Sequence, residues 1–150
     1  MKRVDFGNAF ECDPYLTRDL WIKHTTFKDW QRVYDFLKEV YPLKYVIDEE
    51  TMPLPADIGT AFERTGYVDF KYLYITVGSL TLRTYFSDNA VIDFDFDQCQ
   101  IITDEQLQPL LVFIEAIARL VDKEVICSEE LYPYVIYFSF DPTTGQFKVL

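Results

Sequence analysis

Three aspartates alternate along residues 91–97, Val-Ile-Asp-Phe-Asp-Phe-Asp, so an extended chain puts Asp93, Asp95 and Asp97 on one side. Alternate carboxylates on a strand face can hold a divalent cation beside a phosphate, or stand as a solvated acidic surface. Just upstream, Tyr72, Tyr74, Arg83 and Tyr85 are residue types enriched at the energetic centres of protein interfaces. Other chemistry is sparse. His24 is the sole histidine, and Cys12, Cys99 and Cys127 are scattered without C-x-x-C spacing. Neither an imidazole metal site, a zinc site, a disulfide framework nor a nucleophile–base pair is therefore expected, and His24 reads as a partly buried structural residue.

A meander over residues 68–97 must position these groups. Residues 68–77 are rich in β-branched and aromatic side chains, and residues 80–86 alternate apolar and polar. Gly78-Ser79 between them suits a two-residue type II′ hairpin, which sets Thr76 opposite Thr81, Tyr74 opposite Arg83 and Tyr72 opposite Tyr85. Leu73, Ile75, Val77, Leu80, Leu82 and Thr84 then share the core face. In the third strand, Ile92, Phe94 and Phe96 must face the same core, since a one-residue slip would bury three carboxylates. An odd loop, Asp88-Asn89-Ala90 with Asn89 left-handed, is expected to keep the apolar faces together. This register gathers Tyr72, Tyr74, Arg83, Tyr85, Asp93 and Asp95 on the outer face.

Val77-Gly78-Ser79 followed by Ile92-Asp93-Phe94-Asp95-Phe96 resembles the minimal signature of the nucleotidyltransferase superfamily. The resemblance implies that Gly78 and Ser79 contact a triphosphate while Asp93 and Asp95 hold Mg²⁺. It covers about 20 residues. The family has a helix after Gly-Ser, whereas residues 80–86 here read as a strand.

Around the meander, residues 107–121 carry Leu107, Leu110, Leu111, Ile114, Ile117, Ala118 and Val121 at helical spacing. A helix near 104–122 follows, opened either by the Thr103/Gln106 capping-box pattern or near Gln108 with Pro109 at its first position. Thr26 caps a second helix near 26–41, with Phe27, Trp30, Val33, Tyr34, Leu37 and Val40 as its apolar stripe and Pro42 as its stop. Residues 20–24 and 43–47 read as strands, residues 48–55 as an acidic, proline-bearing loop, and residues 56–65 as a short helix ended by Gly66. Towards the C-terminus, residues 124–128 read as a strand, residues 134–140 as a strand buried on both faces, and residues 146–150 as an edge strand after the Asp141-Pro142-Thr143-Thr144-Gly145 turn. The expected fold is a single α+β domain over residues 1–150, with helices against one face of an antiparallel sheet.

Charge bounds the partners. Of the net charge of −11, residues 1–83 hold 13 acids against 11 bases, and residues 84–150 hold 12 acids against 3 bases. Nucleic acid and anionic membrane surfaces are poor partners for such a chain, because phosphate binding needs clustered lysine and arginine. No apolar run reaches the length of a membrane span, and residues 1–8 lack the apolar region of a secretion signal, so a cytoplasmic chain is expected. Its expected role is non-enzymatic, without a cofactor. The chain reads as a small acidic binding module that presents Tyr72, Tyr74, Arg83, Tyr85, Asp93 and Asp95 to a basic protein, as a bacterial immunity-type inhibitor of a toxin or nuclease would. The alternatives are a Mg²⁺-dependent nucleotidyltransferase on Gly78, Ser79, Asp93 and Asp95, and a non-catalytic homodimer or scaffold subunit.

Overall fold

Threonine capping boxes set the two long helices. Thr26 Oγ1 accepts from the Asp29 N–H at 3.2 Å while the Thr26 N–H donates to Asp29 Oδ2, opening α1 (Phe27–Val40). A single turn, α2 (Ile58–Phe62), is capped by Asp57. Thr103 and Gln106 repeat the reciprocal arrangement at the start of α3 (Asp104–Val121). Pro109 therefore lies within α3 and forgoes the bond its nitrogen would make to the Glu105 carbonyl. The cap fixes the start at Thr103 and excludes a start near Gln108. This computed structural model describes residues 1–63 and 70–150.

Among the described residues, nine strands form one antiparallel sheet: β1 (Arg18–Lys23), β2 (Leu43–Ile47), β3 (Glu50–Met52), β4 (Lys71–Val77), β5 (Leu80–Thr84), β6 (Val91–Phe96), β7 (Val125–Glu129), β8 (Tyr132–Asp141) and β9 (Gln146–Val149). Their order is β3-β2-β4-β5-β6-β1-β7-β8-β9. The chain is thus an α+β fold with helices on one face. Leu73, Ile75, Val77, Leu80, Leu82, Thr84, Ile92, Phe94 and Phe96 all point into the core at 2% exposure or less, as their alternation requires. Trp30 of α1 and Phe113 of α3 pack on Phe94, and Phe62 of α2 packs on Trp30. All three helices therefore cover that face.

Gly78-Ser79 forms the β4–β5 turn, with Gly78 at φ +62° and Tyr74 opposite Arg83. A Cβ at residue 78 would stand 2.9 Å from Pro109 Cγ, so close packing against α3 also requires glycine there. The next connection differs from expectation. It runs from residue 85 to 90, and Phe86 rather than Asn89 takes the left-handed conformation, at φ +54°. Phe86 is 1% exposed and packs on Trp30, Tyr45 and Phe62, so burial of a large ring holds the strained backbone.

Other expectations change for reasons of long-range packing. Cys12 and Cys99 form a disulfide across a sequence separation of 87, because the turn after β6 lies against the N-terminal segment. Residues 48–55 hold the short edge strand β3, joined to β2 by Asp48 and Glu49, both at positive φ. His24 is exposed rather than partly buried, in a left-handed bend after β1. The strand buried on both faces is β7, since β8 has an exposed N-terminal half with Tyr134 at 77%. In α1, Phe27 and Val40 leave the apolar stripe and are exposed at its two ends. The expected strand start at Val68 and helix stop at Gly66 lie outside the described residues.

Candidate outer-face site

The alternation that buries the apolar residues sends their neighbours to the opposite face, where no helix packs among the described residues. The register lines up Lys44, Tyr74, Arg83, Asp95, Asp19 and Ser128 in one row across six strands. A second row holds Val46 beside Tyr72 on one side, and Asp93, Trp21 and Ile126 on the other. Tyr85 joins them as the ring neighbour of Tyr72, 5.0 Å away. The six residues singled out in the sequence therefore share one face, and all are half-buried.

Arg83 organises the left part of this face. Its Nε and Nη2 donate to the two carboxylate oxygens of Asp95 at 3.2 and 3.1 Å, and its Cζ lies 4.7 Å from the Tyr85 ring centre and 5.7 Å from that of Tyr72. Planar guanidinium suits both contacts, a fork for the carboxylate and a flat surface for the rings. Burial alone would lower the Arg83 pKa, but the hydrogen bond and charge of Asp95 raise it above the ordinary value. The Tyr85 hydroxyl is also pushed up, by burial and then by the Asp95 charge. Phe70, 56% exposed, lies parallel to Tyr72 and extends the aromatic surface to a recess of about 550 Å³.

The right part carries unmet negative charge. Burial and then the charges of Asp95, Glu130 and Asp93 push the Asp19 carboxyl up to about 7. Asp93 rises to about 6, by burial and then by Asp95, and its Oδ1 is buried with no hydrogen-bond partner. Among the described residues, the cation in an ion pair on this face is Arg83, and Asp95 takes it. Asp19 and Asp93 line a second recess of about 210 Å³ with Trp21, Ser128 and Pro133. Trp21 Nε1 donates to Ser128 Oγ at 3.0 Å, which fixes the indole beside the carboxylates.

Asp19 and Trp21 escaped the sequence reading. Their signal was present as the alternation Arg18-Asp19-Leu20-Trp21-Ile22-Lys23, but nothing local indicates that β1 inserts between β6 and β7. The exposed β7–β8 tip was missed as well. Leu131 is 75% exposed at φ +67°, and Tyr132 and Tyr134 stand beside it with rings 5.9 Å apart.

Gly78 and Ser79 do not approach the aspartates along the sheet. Asp95 pairs with Arg83, four residues beyond Ser79, or about 14 Å at the strand rise, and Asp93 lies farther still. A strand, β5, follows the Gly-Ser turn. Among the described residues no three histidine, cysteine or acidic side chains converge to hold a metal ion, and no helix is long and apolar enough to cross a membrane. No protein-family model, curated protein or solved structure matches the chain.

Proposed function

We propose that this chain is a binding module whose outer sheet face receives a basic protein, in the manner of an immunity-type inhibitor. One observation carries the reading: Asp19 and Asp93 face a shared recess as half-buried carboxylates that form no ion pair among the described residues, while Asp95 has Arg83. An isolated monomer gains nothing from holding like charges together in a low-dielectric setting. A lysine or arginine of a partner, seated between them, would return both groups to their ordinary ionisation and convert repulsion into attraction. The Trp21 ring beside the recess carries Lys23 Nζ 4.8 Å from its centre, so the indole already holds a cation of this chain. Tyr72, Tyr74 and Tyr85 around Arg83 add an amphipathic flank. The acidic surroundings would steer the encounter and make association faster at low salt.

The Cys12–Cys99 bond favours an oxidising compartment over the cytoplasmic setting expected from the sequence, because disulfides persist mainly in oxidising compartments. Nothing observed favours the nucleotidyltransferase or homodimer alternatives over this one.

The test replaces both carboxylates isosterically. Asp19→Asn with Asp93→Asn should fold, become more stable near neutral pH, and lose at least tenfold in affinity for a basic partner isolated with the wild type. Unchanged affinity in a well-folded double variant would exclude this face.

A further inference from the structure

The disulfide joins two segments that flank a single strand pair. β1 and β6 run antiparallel with Arg18 opposite Phe96, so the start of β1 and the end of β6 lie together. Cys12 precedes β1 by six residues and Cys99 follows β6 by three, so the bond closes over that shared end. Beneath it the N-terminal segment covers the core. Phe6 packs on Phe138 and Phe147, with ring centres 4.8 and 5.6 Å away, and Phe10 lies 6.5 Å from Phe96. Arg18 Nε donates to the Ala9 carbonyl at 2.9 Å, and Gln98 Nε2 donates to the Leu16 carbonyl at 3.0 Å. The cover is thus held by packing and hydrogen bonds as well as by the covalent link.

Access to the bond is uneven. Cys12 is exposed, Cys99 half-buried, and the third cysteine, Cys127, is 0% exposed on the core side of β7. Thiol exchange depends on which sulfur can be reached, and of the two bonded residues Cys12 is the one exposed to solvent. We propose that Cys12–Cys99 is a thiol-exchange latch, opened in the folded protein by a dithiol, that fastens the N-terminal cover over the shared end of β1 and β6. The reductant's thiolate attacks Cys12 Sγ; the Cys12–Cys99 bond breaks, and Cys99 leaves as a thiolate that takes a proton from water. The second thiol of the reductant then displaces Cys12 and closes the reductant's own disulfide, completing a two-electron transfer. The inference does not depend on the basic partner, and either can fail without the other.

Cys127 is a built-in reporter for the experiment. The purified protein is held under native conditions with dithiothreitol, blocked with iodoacetamide, and its labelled cysteines counted by mass spectrometry beside a sample alkylated without reductant. The expected result is no labelled cysteine before reduction and two, Cys12 and Cys99, after it, with Cys127 unlabelled. The opened protein should melt roughly 10 °C lower, because an 87-residue separation is no longer closed in the unfolded chain. A Cys12→Ser, Cys99→Ser variant should show the lowered midpoint without reductant and no further change with it. Three cysteines labelled together would mean that reduction needs global unfolding, and would overturn the latch. So would a bond that resists dithiothreitol, free Cys12 and Cys99 before reduction, or an unchanged midpoint once the bond is open.

Discussion

Replacing Asp19 by asparagine should stabilise the protein at neutral pH and leave it nearly unchanged in acid. The Asp19 carboxyl rises from 3.8 to about 7 on folding, through burial and then the charges of Asp95, Glu130 and Asp93. A group with a raised folded pKa binds its proton more tightly in the native state, so stability is greatest below the unfolded value and is lost as pH rises through the folded one. The window runs from pH 4 to about 7. Three pH units correspond to about 4 kcal/mol at face value, and solvent screening of this half-exposed group brings the expected effect to about 2 kcal/mol. Asparagine carries no charge at any of these pH values. The stability gap between Asp19→Asn and wild type should therefore open from near zero at pH 4 to about 2 kcal/mol at pH 8, or roughly 4 to 8 °C in midpoint for a chain of this size. Thermal melts followed by circular dichroism at pH 4, 5, 6, 7 and 8, at fixed ionic strength, measure it. Any constant offset from changed hydrogen bonding cancels in the pH trend. A gap of equal size at pH 4 and pH 8 would refute the idea that like charges are compressed on this face.

Other substitutions probe the scaffold. Gly78→Ala faces both the left-handed backbone and the Pro109 ring 2.9 Å away, and should cost about 2 kcal/mol or more in urea denaturation. Arg83→Ala takes the fork away from the half-buried Asp95 carboxylate, with an expected loss of about 1 to 3 kcal/mol; Arg83→Lys should recover only part, because a point charge cannot reproduce the fork. Leu131→Gly relieves a positive φ at an exposed side chain and should stabilise by about 0.5 kcal/mol, measured by the same denaturation.

Local pattern carried most of the meander. The hairpin register at Gly78-Ser79 and the inward set of Leu, Ile, Val and Phe follow from a two-residue turn and period-2 alternation, both properties of contiguous sequence, and Arg83 faces Asp95 although the connection between their strands differs from expectation. What escaped was non-local. Asp19 reaches Asp95 only because β1 inserts between β6 and β7, and Cys12 reaches Cys99 only because the cover folds over the same strand end. The Phe86 conformation likewise reflects a pocket made by Trp30, Tyr45 and Phe62, three residues remote in sequence that outweigh the local preference for Asn89. The two-faced burial expected of residues 134–140 belongs instead to β7, and the N-terminal half of β8 is exposed. The nearly all-apolar stretch at residues 134–140 looks central, yet β8 is one strand from the edge.

The central position of β1 has a consequence for how the chain assembles. Residue 18 pairs with residue 96 on one side and residue 129 on the other, so the middle of the sheet closes only when distant parts of the chain meet. Each such closure costs loop entropy before its contacts are rewarded, and topologies of this kind fold in milliseconds to seconds rather than microseconds. While β7 is unpaired, the edge of β1 that it covers is open. Its own sequence guards that edge: Asp19, in the stretch that β7 covers, is charged, and charged side chains on an open strand discourage pairing with other chains. The acidic residue that strains the finished sheet thus also protects the unfinished one, and Asp19→Asn, although more stable once folded, should aggregate more during refolding by dilution from urea.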